Sequence, residues 1–125
     1  MGQFRSYTKS RRPGFSRKAL RAYLQSNPDK KHRCGDAKAC VVADYIADSF
    51  TFPKGTDTVH VFGSTIEFTN NRATTRDPCT SHVRLVYTAP KWVKRVVDKF
   101  DHIKGARGGL VTGSRCEEEL SGILG

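Results

Sequence analysis

The stretch Thr58 to Thr69 limits what this chain can fold into more than any other. Thr58-Val59-His60-Val61-Phe62 and Thr65-Ile66-Glu67-Phe68-Thr69 alternate apolar and polar residues on either side of Gly63-Ser64. Alternation at period two marks a half-buried strand, and glycine at the first position of a two-residue connection suits a type II′ turn. Folding there opposes Val61 to Ile66 and Val59 to Phe68 on one face. It opposes His60 to Glu67 and Thr58 to Thr69 on the other. Turn chemistry and face assignment agree on this register, and a slip of one residue would turn Val61 and Ile66 to water. The rest of the chain must therefore cover one face of a small sheet.

The flanking segments supply helices for that cover. Ser16 is placed as an N-cap, with Phe15 before it as a staple onto Leu20, and Ala19, Leu20, Tyr23 and Leu24 share one helical face. Asn27-Pro28 ends this helix, and Lys30 to Gly35 reads as a loop. Asp36 caps a second helix running to about Asp48, with Ala37, Cys40, Val41, Tyr45 and Ile46 inward, and Ser49 to Gly55 is a connector. After the hairpin and a polar loop, Asn70 to Pro78, the stretch Ser81 to Thr88 makes a third strand that buries Val83, Leu85 and Tyr87. A third helix starts at Thr88 and Pro90 and stops near Gly105. Trp92, Val93, Val96, Val97, Phe100 and Ile103 give it an apolar stripe, opposite Lys91, Lys94, Arg95 and Lys99. A bend, Gly105 to Gly109, leads to Leu110-Val111-Thr112, and Ser114 with Glu117 forms a capping box for a last helix containing Leu120, Ile123 and Leu124. The expected fold is α+β, in the order ααβββαα, with a three-stranded antiparallel sheet covered by helices. At 125 residues it is one domain, 14–125, preceded by a basic flexible arm, 1–13.

Charge separates the chain as sharply as periodicity does. Residues 1–33 hold ten cations, Arg5, Lys9, Arg11, Arg12, Arg17, Lys18, Arg21, Lys30, Lys31 and Arg33, against the single acid Asp29. That is +9 of the chain's net +10. Concentrated charge makes a local field that evenly spread charge does not, so these residues are the candidate site for an anionic partner. Lys and Arg neutralise phosphates and release counterions, and the interleaved Phe4 and Tyr7 are candidates for stacking on exposed bases. Nucleic acid, a nucleoprotein and an acidic protein surface all satisfy this chemistry.

Other motifs carry less. Gly105-Ala-Arg-Gly-Gly109 lacks the G-K-[ST] ending of a phosphate loop and reads as a turn. His60, Glu67 and Arg84 read as ordinary neighbours on an open sheet face, and Cys79 with His82 lacks a third residue for a nucleophilic site. Trp92 and Phe100 at helical spacing read as core rather than a groove, and Glu117, Glu118 and Glu119 suit a helix start. Cys34, Cys40, Cys79 and Cys116 contain no C-x-x-C, so buried reduced cysteine is preferred to a zinc site built with His32. No metal or cofactor is expected. Gly2 and Ser6 match a myristoylation pattern, but no apolar run is long enough to span a membrane and no signal peptide is evident. The expected compartment is the cytoplasm.

Asp36-Ala-Lys-Ala-Cys-Val-Val-Ala-Asp-Tyr-Ile46 and Ala89-Pro-Lys-Trp-Val-Lys-Arg-Val-Val-Asp-Lys-Phe-Asp101, with a short sheet between them, resemble small orphan proteins of phages and prophages. In these a cysteine-led helix, two or three strands and a Pro-Trp helix ending in Phe-Asp recur. The likeness covers roughly residues 33–101, and departs from the pattern at Val41, where proline is common, and in the insertion from Asn70 to Pro78. It transfers no catalytic residue. What it implies is a phage accessory role in the host cytoplasm. The expectation is a non-enzymatic protein whose basic segment binds nucleic acid or a host nucleoprotein. The alternatives are a protein-protein inhibitor of host defence (anti-CRISPR-like) acting on an acidic surface, or a small virion or packaging component.

Overall fold

The computed structural model describes residues 2–3, 15–70, 84–103 and 109–125. In chain order the elements are β1 (Gly2–Gln3), α1 (Arg17–Ser26), β2 (Lys31–Arg33), α2 (Val41–Ser49) and β3 (Thr58–Val61). They continue with β4 (Thr65–Thr69), β5 (Arg84–Thr88), α3 (Lys91–Asp101), β6 (Leu110–Thr112) and α4 (Gly113–Leu124). β3 and β4 pair in the register that the turn demands, Val61 opposite Ile66 and Val59 opposite Phe68. Gly63 has φ +80° and no described non-glycine residue has a positive φ, as a type II′ turn requires of its two central residues. β5 joins β4 antiparallel and β1 joins β5 parallel, giving the strand order β1-β5-β4-β3. The fold is α+β, with a small antiparallel sheet of three strands extended by β1, beside a two-stranded ribbon.

Val59, Val61, Ile66 and Phe68 are buried on one sheet face, against a core built from the helices. α2 is its centre. Val41, Val42, Ala43, Tyr45 and Ile46 are all buried, leaving only a narrow polar side, as expected of a helix packed by neighbours on several sides. α1 contributes Leu20, Tyr23 and Leu24, α3 Val93, Val96 and Phe100, and α4 Cys116, Leu120 and Leu124. Full burial of one such Leu or Phe side chain is worth about 1.5–3 kcal/mol. In β5, Tyr87 is half-buried opposite Ile66, but Leu85, opposite Phe68, keeps 36% of its surface exposed. The burial expected of Leu85 is therefore incomplete. The expected start of this strand, Ser81 to Val83, lies outside the described residues, as does Asn71 to Pro78.

Four expectations need correction. Lys30 to Gly35 is not all loop: Lys31–Arg33 pairs antiparallel with Leu110–Thr112, placing His32 opposite Val111 inside and Arg33 opposite Leu110 outside. Asp36 does not cap α2. Its carboxylate accepts from the Lys38 amide, while the Ala37 and Ala39 carbonyls accept from the amides of Val61 and Arg33. Those carbonyls tie the turn to β3 and β2, so the helix begins only at Val41, after the extended Cys40. α3 ends at Asp101 with His102 as its cap, before Gly105, which lies outside the described residues, and Ile103 is buried just beyond the helix. The expected capping box also moves: Thr112, not Ser114, caps α4 and accepts from the Arg115 amide.

The reason for this last shift lies in the turn after α1. The Gly113 amide donates to the Lys30 carbonyl at 2.8 Å and the Ser114 amide to the Pro28 carbonyl at 2.9 Å. Two orphan donors of a helix start are thus satisfied by another segment of backbone. A Cβ at position 113 would stand 2.2 Å from the Asn27 carbonyl oxygen, so only glycine fits there. α4 then runs back antiparallel to α1, with Glu117 beside Gln25 and Arg21, and the Gly125 carbonyl accepting from Arg21.

Candidate nucleic-acid interface

Six of the ten basic residues lie within the described residues, as three pairs. Arg5, Lys9, Arg11 and Arg12, with Phe4 and Tyr7, lie outside the described residues. Arg17 and Lys18 are exposed in the first turn of α1, which contains no acid. Lys31 and Arg33 are exposed on the outer face of the β2–β6 ribbon, while His32 between them turns inward. Arg21 and Lys30 face the protein itself. Arg21 lies against Glu117 and the Gly125 carbonyl, and Lys30 Nζ reaches Asp48 Oδ2 at 2.7 Å, which raises the Lys30 pKa through that hydrogen bond. Charge counting could not separate these two from their neighbours, because their partners come from α4 and α2.

The chain just before Arg17 and Lys18 is anchored by aromatic contacts. Phe15 leaves the start of α1 and packs on Trp92 at 5.0 Å between ring centroids, on Tyr45 at 5.7 Å and on Phe50 at 6.0 Å. Phe15, expected as a staple onto Leu20, is also a member of this aromatic cluster. α1 is thereby moored at its first turn to the first turn of α3, where Lys91 is exposed and no acid is present. β1 pairs with Tyr87 and Thr88, just before α3. Exposed Arg95 and Lys99 follow on α3 itself. The other cationic pair, Lys31 and Arg33, belongs to the opposite end of α3, since the Cys34 thiol reaches the Phe100 carbonyl and the Gly35 amide reaches Asp101.

Inside, a polar network joins α1, β2 and α2. The fully buried His32 holds Asp44 Oδ2 with Nδ1 at 2.6 Å, and its buried Nε2 has no hydrogen-bond partner among the described residues. Carboxylates only accept, so Nδ1 is the donor. The Tyr23 hydroxyl donates to Asp48 at 2.6 Å; burial, then that bond, raises its pKa. This arrangement braces β2 against α2 and closes His32 off from any substrate. Sequence reasoning missed it, although Asp44 and Asp48 one helical turn apart on a mostly apolar segment were a legible signal.

The remaining candidates are placed as follows. No group of three or more His, Cys, Asp or Glu among the described residues could hold a metal ion. Cys34, Cys40 and Cys116 are buried free thiols, and burial pushes Cys40 up to about 11 and Cys116 up to about 12. Thiols held in that form are poor nucleophiles. His60 opposes Glu67 across the hairpin, and Glu67 pairs with Arg84 at 2.5 Å as a sheet-face neighbour. Cys79 and His82 lie outside the described residues. A cleft of about 340 Å³ between the hairpin turn and α3 is lined by Asp36, Cys40, Phe62, Lys94, Asp98 and Asp101 among others. Lys94 already pairs with Asp98 at 3.0 Å, and the Asp101 carboxylate takes the Gly35 amide. No helix among the described residues is long and apolar enough to cross a membrane. No protein-family model, curated protein or solved structure matches this chain.

Proposed function

We propose that this is a non-enzymatic accessory protein of the phage type that binds nucleic acid, free or within a host nucleoprotein, through its basic N-terminal segment. The observation that carries the reading is the placement of +9 of the net +10 within the first 33 residues. Exposure of Arg17, Lys18, Lys31 and Arg33, none with an ion-pair partner among the described residues, supports it. Cations held away from acids keep their full charge for a polyanion. Arg5, Lys9, Arg11 and Arg12 extend the same charge toward the N-terminus.

The test is a salt titration of binding to labelled DNA and RNA, comparing the wild type with a variant carrying Arg11→Ala, Arg12→Ala, Arg17→Ala and Lys18→Ala. Each lost phosphate contact lowers the log-log salt slope by about 0.9 on duplex DNA and about 0.7 on a single strand. The expected result is a slope reduced by two or more with the thermal melt unchanged. A wild-type protein that binds neither DNA nor RNA at low salt overturns the proposal. Nuclease-resistant capture of one acidic host protein would then favour the inhibitor reading.

A further inference from the structure

We infer that α3 carries a second, ordered part of the interface: a row of Lys91, Arg95 and Lys99 that tracks the phosphate backbone of the bound polynucleotide. This inference rests on the nucleic-acid reading and states where on the folded body the strand lies. The three cations recur every fourth residue, so they climb the helix in steps of about 6 Å on one side of it. All three are exposed, and none has an ion-pair partner among the described residues. The fourth cation of α3, Lys94, differs. It is bridged to Asp98 and lines the cleft, as do Asp98 and Asp101. Of the two carboxylates of α3, Asp101 takes the Gly35 amide on the cleft side, and Asp98, three residues after Arg95, borders the row but is bridged to Lys94.

At four-residue spacing on an exposed helix, opposite charges are stabilising and like charges destabilising. α3 has like charges at that spacing along Lys91, Arg95 and Lys99. A row of like charges that weakens its own helix makes physical sense as one half of a complementary pair. The Phe15–Trp92 stack ties the chain just before Arg17 and Lys18 to the first turn of α3, where the row begins at Lys91. Trp92 is half-buried with its ring packed on Phe15, which removes it as a platform for bases. Among the described residues of α3, the exposed surface that remains is charge without an aromatic face. It suits backbone contact, which is indifferent to sequence.

The deciding experiment uses the full-length protein and labelled mixed-sequence DNA, duplex and single-stranded, titrated with salt. Three variants are compared with the wild type: Lys91→Gln/Arg95→Gln/Lys99→Gln, Arg17→Gln/Lys18→Gln, and Lys94→Gln as a control on the cleft side. The triple variant is expected to lower the log-log slope by roughly 2–3 and the affinity equally for unrelated sequences. Lys94→Gln is expected to leave both unchanged, and all variants to keep the wild-type circular dichroism spectrum. If Arg17→Gln/Lys18→Gln lowers the slope while the triple variant does not, the α3 row is overturned and the basic-segment reading stands. If the triple variant changes the affinity for one sequence but not for others, backbone tracking is overturned. Absence of any wild-type binding to nucleic acid at low salt overturns both.

Discussion

Asp44 and Asp48 show how much a single residue's role depends on what the fold brings to it. They stand one turn apart on α2, an arrangement of like charges that by itself weakens a helix. Each is compensated from outside: Asp44 by the buried His32 ring, Asp48 by the Tyr23 hydroxyl and the Lys30 ammonium. The two compensations differ in value. Asp44→Ala strands the His32 donor in the core and is expected to lower unfolding stability by about 2–3 kcal/mol in urea titrations. Lys30→Met removes only a partly exposed ion pair and is expected to change it by less than about 0.5 kcal/mol. Equal losses would show that His32 is not held by Asp44 in solution. Lys30 was legible in the sequence as charge, but not as charge already engaged. Its partner, Asp48, follows it by eighteen residues on another helix, beyond the reach of any local pattern.

Among the elements, those with strong local signals came out as written and those dependent on distant partners did not. Ser16 caps α1 through the Ala19 amide and Asn27 ends it. The start of α4 is the contrast. Ser114 and Glu117 have the right spacing for a capping box, yet the carbonyls of Pro28 and Lys30 reach the first amides and bring the helix start forward to Gly113. Thr112→Ala is therefore expected to cost about 1 kcal/mol, with Ser114→Ala within about 0.5 kcal/mol of wild type. A larger loss from Ser114→Ala in a denaturation series would restore the capping box. β2 escaped notice for a related reason: Lys31-His32-Arg33 has no apolar alternation, because its inward residue is a histidine whose polarity is satisfied only by α2.

Across the whole molecule, the core and the charge respond to different variables. The core holds buried thiols that ionise near pH 8.5 once exposed by unfolding. Folding pushes Cys40 up to about 11 and Cys116 up to about 12, and burial likewise pushes Tyr45 up to about 12. The folded state keeps these protons to higher pH than the unfolded state does. Their contribution to stability is complete below about pH 8.5 and is lost as pH rises toward 11–12, at a slope approaching about 1.4 kcal/mol per pH unit for each group. Urea midpoints at pH 7.5, 9 and 10 should fall in that order, and Cys34, Cys40 and Cys116 should resist alkylation at pH 8 until denaturant is added. Midpoints that stay level over this range would mean that the thiols are accessible in the folded protein. Salt, by contrast, acts on the surface charge and should leave the core's behaviour largely intact.

The hairpin register, the inward faces of α1 and α3 and the segregation of positive charge were determined by sequence alone. Each follows from periodicity, turn chemistry or charge within a few neighbouring residues. Tertiary structure alone decided that Lys31–Arg33 would pair with Leu110–Thr112 and that α4 would begin at Gly113. It also paired Arg21 and Lys30 with carboxylates of α4 and α2 while leaving Arg17 and Lys18 exposed. Those outcomes depend on which distant backbone carbonyls and carboxylates packing brings within about 3 Å, the range of a hydrogen bond.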